Sequence, residues 1–240
     1  MTISIIIATY NCEHTLKRCL DSLVAQTCPP HEVIIVDGLS SDTTIQVANS
    51  SELVTKLISE SDNGIYDAWN KGLSLAQGEW VMFLGADDIL KSTAIERYIS
   101  HLEVNRNLNF VSARANLKDS KGNTIEVIGS AWNLRKMRRF MNVCHTSSIT
   151  SVSLLKQFGK FDSSYKIAGD YEFMLRVDKV IKAGFIDDTL CDMAMGGVST
   201  RLIGKVLRES FVAKLNSGNV NIFICAIDYI YAFIAKAIFK

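Results

Sequence analysis

Asp87 and Asp88 follow the apolar run Trp80–Leu84 after Gly85-Ala86. Two adjacent carboxylates at the end of a buried strand suit a hard divalent cation that keeps waters and bridges substrate phosphates. The same pair also serves in many proteins as a helix cap beside an exposed neighbour. Other chemistry-bearing residues stand in comparable places. Thr9-Tyr10-Asn11 follows Ile3–Ala8, Asp37 closes Val33–Val36 ahead of Gly38, and Asp62 precedes Asn63-Gly64. Asp-Gly ends many strands, so Asp37 by itself says little. Farther along, Asp170 opens an apolar periodic segment, a place where the helix dipole favours a carboxylate in any protein. His145 follows a basic cluster, Arg135-Lys136-Met137-Arg138-Arg139, with four cations in five residues. That density would attract a diphosphate or an anionic acceptor, and it equally fits a solvated helix face.

The elements around these residues explain why they could meet. Ile3–Ala8 and Val33–Val36 read as strands buried on both faces, the pattern of a parallel sheet. Leu16, Cys19, Leu20, Leu23 and Val24 recur at helical spacing, and Pro29-Pro30 ends that helix. Ser40–Thr43 supplies capping residues for a helix to about Asn49, Leu53–Ser59 reads as a weaker strand, and a helix over about 65–76 precedes the strand at Trp80–Leu84. The first 90 residues therefore read β-α-β-α-β-α-β, which calls for right-handed crossovers and a parallel sheet covered by helices. Ligands bind such sheets beyond the carboxyl ends of the strands. Thr9-Tyr10-Asn11, Asp37, Asp62 and Asp87-Asp88 all fall at those ends. Beyond residue 100 the pattern is less regular, with strands expected near 110–115 and 124–128 and a helix from Asp170 to Lys182.

No glycine-rich phosphate loop of the GxGxxG or GxxxxGK[ST] kind follows the first strand, which argues against a dinucleotide enzyme or a P-loop NTPase. Five ordered segments instead carry a family likeness: Ile6–Asn11, Val33–Gly38, Glu60–Gly72, Gly78–Asp88, and Phe161-Asp162 leading to Gly169–Phe173. Together they resemble the family 2 glycosyltransferases of the GT-A fold, over about residues 1–200. The likeness is strongest to bacterial enzymes that build exopolysaccharide, colanic-acid-type or O-antigen repeat units. It implies an α/β, Rossmann-like, mostly parallel sheet flanked by helices, with a nucleotide-binding half at 1–90, an acceptor half at 91–200 and a helical extension at 201–240.

The resemblance also implies roles. Thr9, Tyr10 and Asn11 match the segment that embraces uracil and ribose, where a Tyr ring is a stacking platform. Asp37 matches the carboxylate that accepts from the uracil ring N–H, and Asp62 and Lys71 match a segment contacting the nucleotide. Asp87 and Asp88 match the metal motif, in which Mg2+ or Mn2+ neutralises the departing diphosphate. Asp170 matches the general base that takes the acceptor hydroxyl proton in one inverting displacement, with Glu172 as its fallback. His145 stands where relatives carry His-Gln and, with Arg138, is a candidate for acceptor or phosphate contact. Two positions depart from the pattern: Gly85 occupies the first place of the metal motif, and Trp69 stands where many members carry Arg, leaving Lys71 as the nearest cation. The implied reaction moves a sugar from a nucleotide donor, a UDP-sugar, to a growing cell-surface glycan that a polyprenyl diphosphate could carry. The alternative is a nucleotide-sugar-binding subunit without catalysis. A nucleotidyltransferase would show a glycine-rich basic first loop, absent after Ala8.

In the last forty residues, Arg201, Lys205, Arg208 and Lys214 alternate with apolar positions, a basic amphipathic pattern suited to a membrane surface. Val220–Phe239 is almost wholly apolar, with Asn221, Cys225, Asp228, Ala232 and Lys236 aligned as one narrow polar stripe. An internal Asp is costly in a spanning helix, so an interfacial helix is favoured over insertion, and packing onto the domain or a partner is the other arrangement.

Composition bounds these readings. The chain has 240 residues, 48% of them hydrophobic, with 26 Lys+Arg against 25 Asp+Glu and a net charge of +1. This excludes disorder, collagen-like repeats and a wholesale basic nucleic-acid binder, so no nucleic-acid partner is expected. The near-neutral total is a cancellation: residues 200–240 hold six Lys/Arg and two Asp/Glu, and residues 1–199 carry the opposing acidic excess. Six cysteines without a CxxC pair or metal-finger spacing fit a reducing compartment. The first residues lack a charged n-region and a long apolar core. A cytoplasmic protein, peripheral on the inner face of the membrane, is the resulting expectation.

Overall fold

The computed structural model describes residues 1–197 and 202–238. Its first part alternates strand and helix: β1 (Ile3–Thr9), α1 (Leu16–Val24), β2 (Glu32–Asp37), α2 (Thr44–Asn49), β3 (Val54–Ser59), α3 (Ile65–Leu75) and β4 (Trp80–Gly85). The second part holds β5 (Ile89–Leu90), α4 (Ala94–Val104), β6 (Phe110–Lys118), β7 (Thr124–Ile128), α5 (Leu134–Met137), β8 (Ser148–Ser151), α6 (Val152–Phe158), α7 (Gly169–Arg176) and β9 (Ala183–Ala194). Two further helices, α8 (Ile203–Asn216) and α9 (Ile222–Ile238), end the described chain.

One sheet runs β3-β2-β1-β4-β8-β6-β9-β5, with β7 on β6. The first four strands of that order are parallel. Beyond them the sheet is mixed: β8 is antiparallel to β4 and β6, β9 is parallel to β6, and β5 is antiparallel to β9. Side chains alternate across the buried strands. Ile5 and Ile7 pack with Leu16, Leu20 and Leu23 of α1 on one face. Ile6, Val36 and Phe83 pack with Tyr66, Trp69 and Leu73 of α3 on the other, which is why the strands show no polar alternation. Helix α3 sits so close that a Cβ on Gly72 would lie 2.5 Å from Ile6 Cγ2. These layers carry the stability: truncating a core residue such as Ile6 to Ala costs about 2–5 kcal/mol. An exposed i,i+4 pair such as Lys17–Asp21 contributes about 0.3–0.5 kcal/mol.

Helix α7 is shorter than the periodicity predicts, ending at Arg176 rather than Lys182. Asn109 captures the chain beyond it, donating to the Val180 carbonyl (2.9 Å) and accepting from Lys182 N–H (2.7 Å), which turns the backbone out of the helix and into β9 beside β6. Strand β9, twelve residues long, was not expected from the sequence because its Asp187-Asp188 and Asp192 break any simple alternation.

The middle of the C-terminal stripe faces inward, while Asn221 at its start is exposed. Asp228 and Cys225 of α9 are buried against the body, whereas Phe223, Ile227, Ile230, Tyr231 and Ile234 are exposed. Asp228 pairs with Lys214 of α8 (3.0 Å) and with Arg139. Lys214 is therefore buried, not on a solvated basic face. Arg201 and the side chain of Lys236 lie outside the described residues. Among the described residues no helix is long and apolar enough to cross a membrane.

Candidate active site

The ends of β1 and β2 are tied together by Asp37. Its Oδ1 accepts from Thr9 Oγ1 (2.9 Å) and Ser40 Oγ (2.5 Å), and its Oδ2 from Ser40 N–H (2.8 Å) and Ser59 Oγ (2.9 Å). Burial alone would raise its pKa, but this ring of donors holds the carboxyl below its ordinary value. With both oxygens occupied and no exposed surface, Asp37 organises the loops. Ser40 Oγ in turn accepts from Asn11 N–H (2.8 Å), and Asn11 Oδ1 accepts from Ser41 N–H (2.9 Å). Asn11 (φ 47°) and Leu39 (φ 61°) both adopt the left-handed conformation, a local strain that concentrates at ligand sites. Asp62 reaches the same corner: a Cβ on Gly38 would stand 2.7 Å from Asp62 Oδ2 and 3.6 Å from the Tyr10 ring. Only glycine leaves that space, and Tyr10 stays 68% exposed above it, its ring open to a flat partner.

At the end of β4 a Cβ on Gly85 would lie 2.5 Å from Asp88 Oδ2 and 3.0 Å from Asp87 Oδ1. Glycine at this position lets both carboxylates crowd one edge. Asp88 is buried and accepts from Gly85 N–H (3.2 Å) and from Ala194 N–H at the end of β9 (3.3 Å). Burial and the neighbouring Asp87 charge push its pKa up to about 7. A cation would relieve that repulsion. Among the described residues no cluster of three or more His, Cys, Asp or Glu side chains is placed to hold a metal. Two carboxylates with waters and phosphate oxygens completing the shell are what Mg2+ and Mn2+ accept, so the residues fit such an ion.

Asp170 stands at the start of α7. Its Oδ1 lies 2.9 Å from the Tyr66 hydroxyl and 2.9 Å from Tyr171 N–H, and neither contact uses Oδ2. The Tyr66 hydroxyl also lies 2.6 Å from the Ile167 carbonyl oxygen, and burial with the nearby Asp170 charge raises its pKa well above the usual tyrosine value. His145 packs face to face with Trp69 (5.1 Å between centroids) inside a cluster with Phe83 and Phe161. Burial lowers the His145 pKa, partly opposed by Asp170, so the ring is held neutral near pH 7.

Tyr10, Asn11, Asp87, Asp88, His145 and Asp170 open onto one cavity of about 1080 Å³. The same cavity is lined by the apolar side chains of Phe140, Met141, Leu207, Phe211 and Tyr229 and by the charged Arg139, Lys214 and Asp228. Thr9, Asp37 and Asp62 do not line it. Three candidates are turned elsewhere. Lys71 binds Glu60 (2.9 Å) and the Ser61 carbonyl oxygen (2.7 Å). Arg138 is committed to the buried Asp178 through Nε (3.1 Å) and Nη2 (2.8 Å). Glu172 is buried, taking Arg176 and the Ser217 hydroxyl (2.7 Å), and does not line the cavity. Each satisfies a buried or local partner that the sequence could not show. The basic cluster is thus half spent internally, on Asp178 and Asp228. Tyr66, the contact of Asp170, escaped notice although it sits in the Glu60–Gly72 segment. Its spacing to Asp170 of 104 residues leaves no sequence signal.

Residues 4–158 match Glycosyl transferase family 2. The chain belongs to this family. A PGL/p-HBAD biosynthesis glycosyltransferase of Mycobacterium bovis is 33% identical over 178 residues, covering 72% of this chain and 68% of the relative. The chondroitin synthase of Escherichia coli is 25% identical over 205 residues, and the match spans 83% of this chain but only 30% of that longer protein. In fold, the glycosyltransferase is similar to S. aureus TarS 1–349 in complex with UDP-GlcNAc (TM-score 0.71, 20% identity, 95% of this chain and 70% of that one). It is also similar to a Pyrobaculum calidifontis mannosyltransferase in complex with GDP-Man and Mn2+ (TM-score 0.70, 17% identity, 98% of this chain and 74% of that one). The family match stops at residue 158, before Asp170, α8 and α9.

Proposed function

We propose that this glycosyltransferase is an inverting, metal-dependent enzyme that moves a sugar from a UDP-sugar to a growing cell-surface glycan carried on a lipid such as polyprenyl diphosphate. The observation that carries this reading is the shared cavity, with the Asp87-Asp88 edge and the Asp170 carboxylate on its walls. Tyr10 and Asn11 would embrace the base and ribose, with Asp37 and Asp62 fixing the loops that present them. Asp87 and Asp88 would hold Mg2+ or Mn2+, whose chemistry there is neutralisation of diphosphate charge. The acceptor hydroxyl would attack the anomeric carbon, its proton passing to Asp170 as the bond to the UDP oxygen breaks, and one displacement inverts the configuration. His145, neutral and stacked on Trp69, would border the sugar.

The apolar side chains Phe140, Met141, Phe211 and Tyr229 in the cavity lining support an acceptor with a lipid part, and the exposed apolar face of α9 with the exposed cations Lys205 and Arg208 of α8 supports docking on an anionic membrane surface. In this reading residues 1–200 form the catalytic unit and 201–240 the docking extension, on the cytoplasmic face. Calorimetry with UDP and each of a panel of UDP-sugars, with and without Mn2+, tests the donor reading. Metal-dependent binding of UDP is expected, and no binding with any of them overturns it.

A further inference from the structure

Helix α8 grips the turn ahead of Asp170 through one carboxylate. Glu209 Oε2 accepts from the backbone N–H groups of Lys166 (3.0 Å), Ile167 (2.8 Å) and Ala168 (3.0 Å), and Oε1 takes a second contact from Lys166 N–H (3.1 Å). Charge-assisted bonds of this kind are the stronger class, and three of them converge on a single oxygen. They hold the residues immediately before Gly169, where α7 begins.

The same turn is held from the opposite side. The Ile167 carbonyl oxygen lies 2.6 Å from the Tyr66 hydroxyl, which also contacts Asp170 Oδ1. Gly169 lies flat on the Tyr66 ring, since a Cβ there would come within 2.8 Å of Cδ2. The amides of the turn are thus fixed by α8 and its carbonyl by α3, and Asp170 is the next residue but one after the last amide held.

We infer that Glu209 is a positioning residue for the base: by binding the three amides it keeps Asp170 Oδ2 aimed at the acceptor hydroxyl. The inference rests on the reading of Asp170 as general base. It makes α8 part of the catalytic apparatus as well as a link to α9. Loss of the carboxylate frees three amides, one of them on the buried Ala168, and the turn relaxes toward other acceptors.

The test uses the full chain with Mn2+ and reads UDP release from UDP-glucose, UDP-galactose and UDP-GlcNAc beside calorimetric UDP affinity. Glu209→Ala is expected to lower kcat by about 10- to 100-fold, the cost of a base displaced by about 1 Å. KM for the sugar nucleotide and the UDP Kd should stay within about twofold, because the donor loops are untouched. Glu209→Gln keeps an oxygen for the amides and should recover most of the rate, which a purely charge-based role would not allow; the quickened exchange at residues 166–168 in the Ala chain separates amide binding from mere bulk. Hydrogen exchange at residues 166–168 should quicken in the Ala chain and not in the Gln chain. If Glu209→Ala does not fold, Glu209→Asp, which withdraws the oxygens by one methylene, should give an intermediate kcat. Wild-type kcat in Glu209→Ala or Glu209→Asp, with Asp170→Asn inactive, overturns the inference alone, as does a Gln chain no faster than the Ala chain. Full turnover in Asp170→Asn overturns the base reading and this inference with it.

Discussion

Asp228 on α9 lies 3.0 Å from the Lys214 ammonium on α8, and both side chains are buried. Arg139 completes the group from the segment after α5, and Lys214 also stands 4.8 Å from the centre of the Phe140 ring. Removing the carboxylate leaves a buried ammonium without its partner, a loss of about 3 kcal/mol, at the low end for a buried pair because Arg139 stays half exposed. Thermal denaturation of Asp228→Ala should show a clearly lower Tm, whereas the double change Asp228→Leu with Lys214→Met should recover much of it. An unchanged Tm in the single variant would mean that α9 is not pinned by this pair.

The two carboxylates on the Gly85 edge repel each other, a repulsion that a divalent cation would relieve. Asp88→Asn should therefore leave the metal-free Tm unchanged or higher while weakening Mn2+-dependent UDP binding by at least about 10-fold, as losses at metal sites commonly do. Calorimetry in Mn2+ and in EDTA separates the two effects. Equal UDP affinity in both buffers for the wild type would remove the metal from the mechanism.

Acid stability follows from Asp37 and Asp228, whose pKa values are both held below the ordinary Asp value in the fold. Their contribution is present in full above the unfolded value of about 3.9 and is lost as pH falls through the lower folded values. Unfolding should thus set in below about pH 4. In Asp37→Asn the amide faces hydroxyl and N–H donors with only one acceptor, so a loss of about 1–3 kcal/mol at neutral pH is expected, with a shallower decline in acid. Urea titrations at several pH values check both limbs.

Membrane docking predicts a surface effect without a stability effect. Ile227 and Ile230 are 60% and 57% exposed, so Glu at both positions should leave Tm within about 0.5 kcal/mol of wild-type stability. The same chain should lose flotation with phosphatidylglycerol vesicles. Flotation equal to the wild type would place the contact elsewhere.

Much of the fold of the first 90 residues was legible in the linear chain. Fully buried strands announce themselves as unbroken Ile and Val runs, short connections force the βα order, and that order carries Asp37 and Asp87-Asp88 to one edge of the sheet whatever the rest of the chain does. Gly38, Gly72 and Gly85 were visible too, although only the structure shows that a carboxylate or an Ile methyl occupies the space a Cβ would need. The partners of Arg138, Glu172 and Lys71 were not legible, because a charged side chain within reach of several groups bonds the one that tertiary packing leaves unpaired. The polar stripe of α9 could be counted from its spacing, but not the direction in which it points. Burial of Asp228 against Lys214 and Arg139 settles that, and it turns the apolar side outward. The sequence by itself determined the strands and helices of the first 90 residues and the carboxylates at those strand ends, since these follow from local periodicity. Only the tertiary structure decided that α8 holds the turn before Asp170, because Glu209 and three backbone amides some forty residues away have no shared pattern until the chain closes on itself.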